Sequence, residues 1–144
     1  MSAASDDLDE FGVGLVYWPD LEPLFRDGDL PVTSLEVEVE AYWLETGDPE
    51  CPYRLDSRAL RRIAALPQPK VVHGVGFPLG SCRAPDPAHV APLRDSLAIF
   101  DARWYSEHLA FNRARCPGGE YATGFLLPPL QTEQGARAAA GTIR

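Results

Sequence analysis

"KVVHGVGFPLGS", residues 70–81, is a short apolar run that ends in a histidine, His73, and then opens into a loop carrying Gly74, Gly76, Pro78 and Gly80. The Val-rich start predicts a strand, and the Gly/Pro cluster predicts its end. The arrangement recurs in "ARWYSEHLAF", residues 102–111, where a second strand pattern runs into His108. The two histidines are 35 residues apart and occupy the same slot, the C-terminal end of a strand, on successive strands. In parallel α/β sheets and barrels chemistry gathers at that end. Neighbouring strands lie about 4.8 Å apart, so two imidazoles at matching height could converge on one metal ion. A lone strand-end histidine reads better as a packed core residue; two in equivalent positions reverse that and favour a site. His89 falls in a helical pattern beside Pro92 and reads as a surface residue.

Outward from these stretches the chain alternates strand and helix. "FGVGLVYW" (11–18) reads as a strand, and residues 19–29 as a short helix begun by Pro19 and stopped by Gly28. "TSLEVEVEAYW" (33–43) alternates strictly and reads as the next strand, with Leu35, Val37 and Val39 on one face and Glu36, Glu38 and Glu40 on the other. Residues 45–54 read as loop and 55–66 as an amphipathic helix with an Asp/Ser start. After the 70–77 strand, Val90, Leu93, Leu97 and Phe100 mark a helix over 85–100. The 103–111 strand leads to an expected long loop, 112–131, and an Ala-rich helix capped by Thr132. Four βα units predict a parallel α/β sheet. They amount to the first half of a TIM-type (β/α)8 barrel, which takes about 250 residues when whole. Residues 11–144 are thus expected to form half of such a barrel behind a disordered acidic tail over 1–10. The chain stops at "GTIR" within a helical pattern, which suggests truncation of a longer design. An open sheet closed by self-association is the alternative.

Composition limits the partners. The 144 residues are 45% apolar, enough for one core, and carry a formal charge of −8. Such a surface repels nucleic acid and anionic membranes. Arg58, Arg61 and Arg62 fall at helical spacing and read as a solvated face. No stretch approaches the roughly 20 apolar residues of a membrane span, and the start "MSAASDDLDE" lacks the features of a secretory signal. A cytoplasmic protein is expected. Cys51, Cys82 and Cys116 are odd in number and unpaired in spacing, which argues for free thiols rather than disulfides or zinc.

The carboxylates of the second strand are unusual. Strands of an all-parallel sheet are normally apolar on both faces, and buried carboxylates need a partner. Glu36, Glu38 and Glu40 are therefore lumen or metal-supporting candidates, with a solvated edge strand as the plainer reading; Asn112, just beyond the second histidine strand, joins them. Glu107 neighbours His108 and points to the opposite face, so it suits a supporting role. Nucleotide-binding glycine motifs and a nucleophile elbow are absent.

"GVGLVYWPDLEPLF", "EVEVEAYW", "KVVHGVGFPLGS", "WYSEHLAFNR" and "TGFLLPPLQTEQG", in that order, resemble the opening half of the multinuclear non-haem iron-dependent oxidative enzymes, the family of the methanobactin-biosynthesis oxidase. The resemblance implies a TIM-type barrel holding two or three iron ions. It implies use of O₂ to modify cysteine-containing ribosomal peptides, beside a separate peptide-binding partner protein. His73 and His108 match the family's first two histidine ligands. The remaining family ligands, a Glu in a Glu-Asn stretch and later Asp, His and Glu residues, would lie past residue 144, so this chain alone is expected to lack the activity. Two other readings stay open: a non-catalytic half-barrel that serves as an interaction module, and a sugar-isomerase-like barrel using a divalent metal.

Overall fold

Short apolar strands separated by amphipathic helices bury themselves most readily by pairing in parallel, with the helices laid over the sheet. A computed structural model describes residues 12–27, 31–81 and 86–143. Strand β1 (Gly14–Val16) leads through a 3₁₀ turn at Pro19–Leu21 into helix α1 (Glu22–Asp27) and then strand β2 (Ser34–Glu38). A second 3₁₀ turn, Val39–Tyr42, is followed by β3 (Trp43–Glu45), β4 (Tyr53–Leu55) and helix α2 (Ser57–Ala64). Strand β5 (Lys70–Gly74) precedes a 3₁₀ turn at Pro87–His89 and helix α3 (Val90–Phe100). Strands β6 (Tyr105–Glu107), β7 (Phe111–Cys116) and β8 (Gly119–Leu127) and helix α4 (Glu133–Thr142) complete the chain.

β1, β2, β5 and β6 form one four-stranded sheet in that order, every pair parallel. Strands adjacent in the sheet are successive βα units, so the α/β reading stands. The register pairs Glu36 with Val71, Glu38 with His73, and His73 with Ser106. Because side chains alternate, these residues share one face. The other face carries Leu35, Val37 and Val72, all essentially inaccessible to solvent. They pack with Phe25 of α1, Leu60 and Ile63 of α2, Phe100 of α3, and Tyr17 and Trp43. Trp43 donates its indole N–H to Ser96 Oγ at 3.2 Å, and Ser96 O–H donates to Pro92 O at 2.7 Å, so these two buried side chains are satisfied.

Helix ends follow local chemistry. Asp56 Oδ1 accepts from Ala59 N and caps α2; Thr132 caps α4 through Gly135 N, as its sequence position predicts. Lys70 is buried at the start of β5 and donates to the carbonyls of Ala64 and Leu66 where α2 ends. Glu22 is also buried, yet it is ringed by donors. Tyr17 Oη lies 2.6 Å from Oε2, Arg26 Nε 2.8 Å from Oε1, and Arg62 Nε 2.9 Å from Oε2. This cluster ties β1, α1 and α2 together.

Four expectations need correction. The strand expected over 33–43 ends at Glu38, because Val39–Tyr42 coils into a 3₁₀ turn. Glu40 therefore leaves the face it would share with Glu36 and Glu38. At the ends of the expected 45–54 loop, β3 and β4 pair as an antiparallel hairpin, Trp43 opposite Leu55. The expected 112–131 loop is mostly the hairpin β7–β8, turned at Pro117–Gly118 and irregular between Phe111 and Arg113. His89 is half-buried rather than on the surface, for the reason given below. The tail over 1–10, Gly28 and Cys82 lie outside the described residues. Cys51 and Cys116 are free and exposed. Among the described residues no helix is long and apolar enough to cross a membrane.

Candidate functional site

The matched register of β5 and β6 places the two strand-end histidines at one point. His73 Nε2 lies 3.1 Å from His108 Nε2, with the rings edge to face, 4.7 Å between centroids and 68° between planes. His73 Nδ1 is 2.8 Å from Ser106 Oγ, its register partner. One Nε2 must carry the hydrogen of this contact while the other accepts it. If Nδ1–H of His73 donates to Ser106, the His73 Nε2 lone pair faces His108.

The glycines after His73 have specific jobs. A Cβ on Gly74 would collide with Tyr105 Oη and come 2.6 Å from Glu107 Oε2. The missing side chain lets Tyr105 O–H reach Glu107 Oε2 at 2.9 Å on the helix-covered side. Glu107 Oε2 also accepts from Phe77 N at 3.0 Å, and Oε1 accepts from His108 N at 2.7 Å. One carboxylate thus ties the loop after β5 to the backbone of His108. Burial, then the hydrogen bond and negative charge of Glu107, then the charge of Glu40, push the Tyr105 hydroxyl well above its ordinary pKa. Tyr105 stays a neutral donor to that carboxylate.

Glu40 performs the same task one step earlier. Its Oε1 accepts from Val75 N at 3.1 Å and Gly76 N at 3.2 Å. Three consecutive amides, 75 to 77, are therefore held by two carboxylates. Further along, Leu79 N donates to His108 O and Gly80 N to Ala110 O. Ser81 and Asn112 bond reciprocally: Ser81 Oγ donates to Asn112 Oδ1 and accepts from Asn112 N, each at 3.1 Å. Asn112 is thus a brace between the 79–81 segment and β7. It also borders an open hollow of about 310 Å³ lined by Val75, Arg113, Phe125 and Leu126.

Glu36 and Glu38 sit on the same face as His73, half-buried, Glu38 directly in register with it. His89 turns inward. Its ring meets Trp43, Tyr53 and Phe77 edge to face, and its Nε2 is 3.0 Å from Tyr53 Oη. The histidines and the open-face glutamates were legible as candidates. The Gly74–Tyr105–Glu107 packing was not; its only sequence signal is the spacing of glycines after His73.

The pair fits part of a metal centre. Two nitrogens 3.1 Å apart can both reach one ion at about 2.1 Å, an ordinary metal–imidazole distance, subtending roughly a right angle. Among the described residues, no group of three or more His, Cys, Asp or Glu stands close enough to hold an ion. The geometry thus offers two adjacent ligands and leaves the other positions to groups outside this cluster.

The sequence matches the model of one family over residues 12–144, the MbnB/TglH/ChrH enzymes that modify the precursors of ribosomally synthesised and post-translationally modified peptides (RiPPs). The chain belongs to this family. Every described residue, including both histidine strands and the β7–β8 hairpin, lies inside the match. A precursor peptide is accordingly the kind of substrate on which MbnB/TglH/ChrH enzymes act. No curated protein matches the chain.

Proposed function

We propose that this chain forms the first half of a TIM-type barrel in an iron-dependent RiPP oxidase, and that His73 and His108 are two of its iron ligands. The observation that carries the reading is the 3.1 Å separation of their Nε2 atoms at the C-terminal ends of adjacent parallel strands. Imidazole ligands with open positions are a donor set suited to non-haem iron. Bound iron would supply the activation of O₂ for oxidation of a cysteine-containing precursor peptide. The rest of the chemistry available here is positional. Ser106 orients His73, Glu107 holds the His108 backbone, and the half-buried Glu36 and Glu38 line the same face as further ligand or substrate-amine partners. The hollow beside Val75 and Phe125 lies two residues past His73 and suits the entry of a peptide. A separate peptide-binding protein would present the precursor, and in its absence the open sheet would favour self-association.

The test is iron content per chain and O₂ uptake. The protein is made with added iron, purified without chelator, and compared with His73→Ala and His108→Ala. Iron that falls in both variants supports the assignment. Iron unchanged in either one overturns it.

A further inference from the structure

Beyond Gly74 the β5 ladder ends, and the amides of Val75 and Gly76 have no strand to pair with. Glu40 accepts both. It can do so only because the chain leaves the β2 ladder at Glu38, and the 3₁₀ turn swings Glu40 towards β5. Glu38 is the register partner of His73, so this tie joins β2 to β5 just past the level of the histidine.

The far side of the carboxylate is equally specific. Glu40 Oε2 and His89 Nδ1 are both buried, and neither has a hydrogen-bond partner among the described residues. Both side chains abut Gly76, where a Cβ would lie 3.3 Å from Glu40 Oε1 and 3.4 Å from His89 Nδ1. Buried polar atoms without partners carry a cost and call for a reason. His89 Nε2 lies 3.0 Å from Tyr53 Oη, and if Tyr53 donates in that contact the ring hydrogen falls on Nδ1, the atom next to Gly76. The ring cannot swing away, because Trp43, Tyr53 and Phe77 enclose it. Phe77 in turn gives its amide to Glu107, whose other oxygen holds His108 N.

We infer that Glu40, backed by His89 across Gly76, is a positioning residue that sets the approach of His73 to His108. The chain of contacts Glu40, Val75–Gly76, Phe77, Glu107, His108 runs behind the pair, with the His89 ring packed on Phe77, and holds the backbone that follows His73 to that of His108. Glu40 touches neither imidazole, so its effect passes through the backbone after His73. The inference rests on the reading of the two histidines as one site, but its readout needs no metal.

The experiment is proton NMR of the metal-free chain. Ring centroids 4.7 Å apart give a cross-relaxation peak between the His73 and His108 ring protons. Glu40→Ala should weaken this peak at least about threefold and open the Val75 and Gly76 amides to hydrogen exchange, while core methyl shifts stay in place. Glu40→Gln keeps an acceptor oxygen and should restore the peak. A full peak in Glu40→Ala, or no rescue by Gln, overturns the inference. If Glu40→Ala does not fold, Gly76→Ala serves instead. Its Cβ enters the gap between Glu40 and His89, and an unchanged peak there overturns the inference as well. Cobalt(II) titration of the wild-type chain separates the two ideas. A ring-to-ring peak without cobalt binding rejects the metal reading and leaves the positioning role to the NMR result.

Discussion

His73 Nε2 and His108 Nε2 point at each other across 3.1 Å, held by strands whose register sets Ser106 beside His73. Two neutral imidazoles can meet this closely only if one gives a hydrogen to the other, and a bound cation satisfies both lone pairs instead. Replacing either histidine by Ala should therefore reduce cobalt(II) affinity at least about tenfold, and the double variant should lose little more than the singles. Two ligands of one ion would act as a unit. Metal titration followed by visible absorption checks this, and additive losses would mean two independent weak sites.

Ser106 Oγ meets His73 Nδ1 at 2.8 Å, on the ring nitrogen turned away from His108. A ligating histidine is oriented by the partner of its other nitrogen, and loss of that partner typically costs about 10–100-fold in metal affinity. Ser106→Ala should fall in this range, and Ser106→Thr should recover most of it by keeping the hydroxyl. The same titration reads the result; an Ala variant that binds like wild type would show that the ring is held elsewhere.

Gly74 is packed rather than flexible. A methyl group there meets Tyr105 Oη and Glu107 Oε2 head on. Gly74→Ala should destabilise the fold by about 1–3 kcal/mol, the usual cost of overpacking. Tyr105→Phe removes the oxygen that the new methyl strikes, so in the Gly74→Ala background it should cost less than alone. Urea melts of the four proteins close the cycle. Simple additivity would place the clash elsewhere.

The sequence made the parallel sheet and its histidine pair readable because both rest on strong local signals. Val71 and Val72 precede His73, and the helix periods of α2 and α3 separate the strands at a regular interval. The hairpins were hidden for different reasons. β3 and β4 have three residues each, too few for alternation to register. In β7 the pattern is blurred by Arg113 and Arg115, both exposed, and the Pro117–Gly118 turn has the composition of a loop. Glu40 departs from the face that alternation predicts because the 3₁₀ turn over Val39–Tyr42 breaks the alternation. His89 departs from the helical pattern because it stands on a 3₁₀ turn before α3, where Trp43, Tyr53 and Phe77 decide its direction. Tertiary contacts, not local pattern, set those two side chains.

Glu22 offers a pH test of the fold itself. It is buried, which alone would raise its pKa, but hydrogen bonds from Tyr17, Arg26 and Arg62 and the charge of Arg62 win and lower it from 4.5 to about 2. A carboxylate with a depressed folded pKa stabilises the native state fully above its unfolded value and loses that contribution as pH falls through the folded one. The window is therefore pH 4.5 down to about 2. Across it the wild type should lose on the order of 2 kcal/mol that Glu22→Gln never had. The Gln variant should be the less stable protein at pH 7, since it leaves Arg62 and Tyr17 short of a charged acceptor. Its stability should then converge on wild type as acid is added. Paired denaturant melts at steps between pH 7 and pH 2 measure the gap directly. A gap that stays constant over that range would mean that Glu22 is not the charged centre joining β1, α1 and α2.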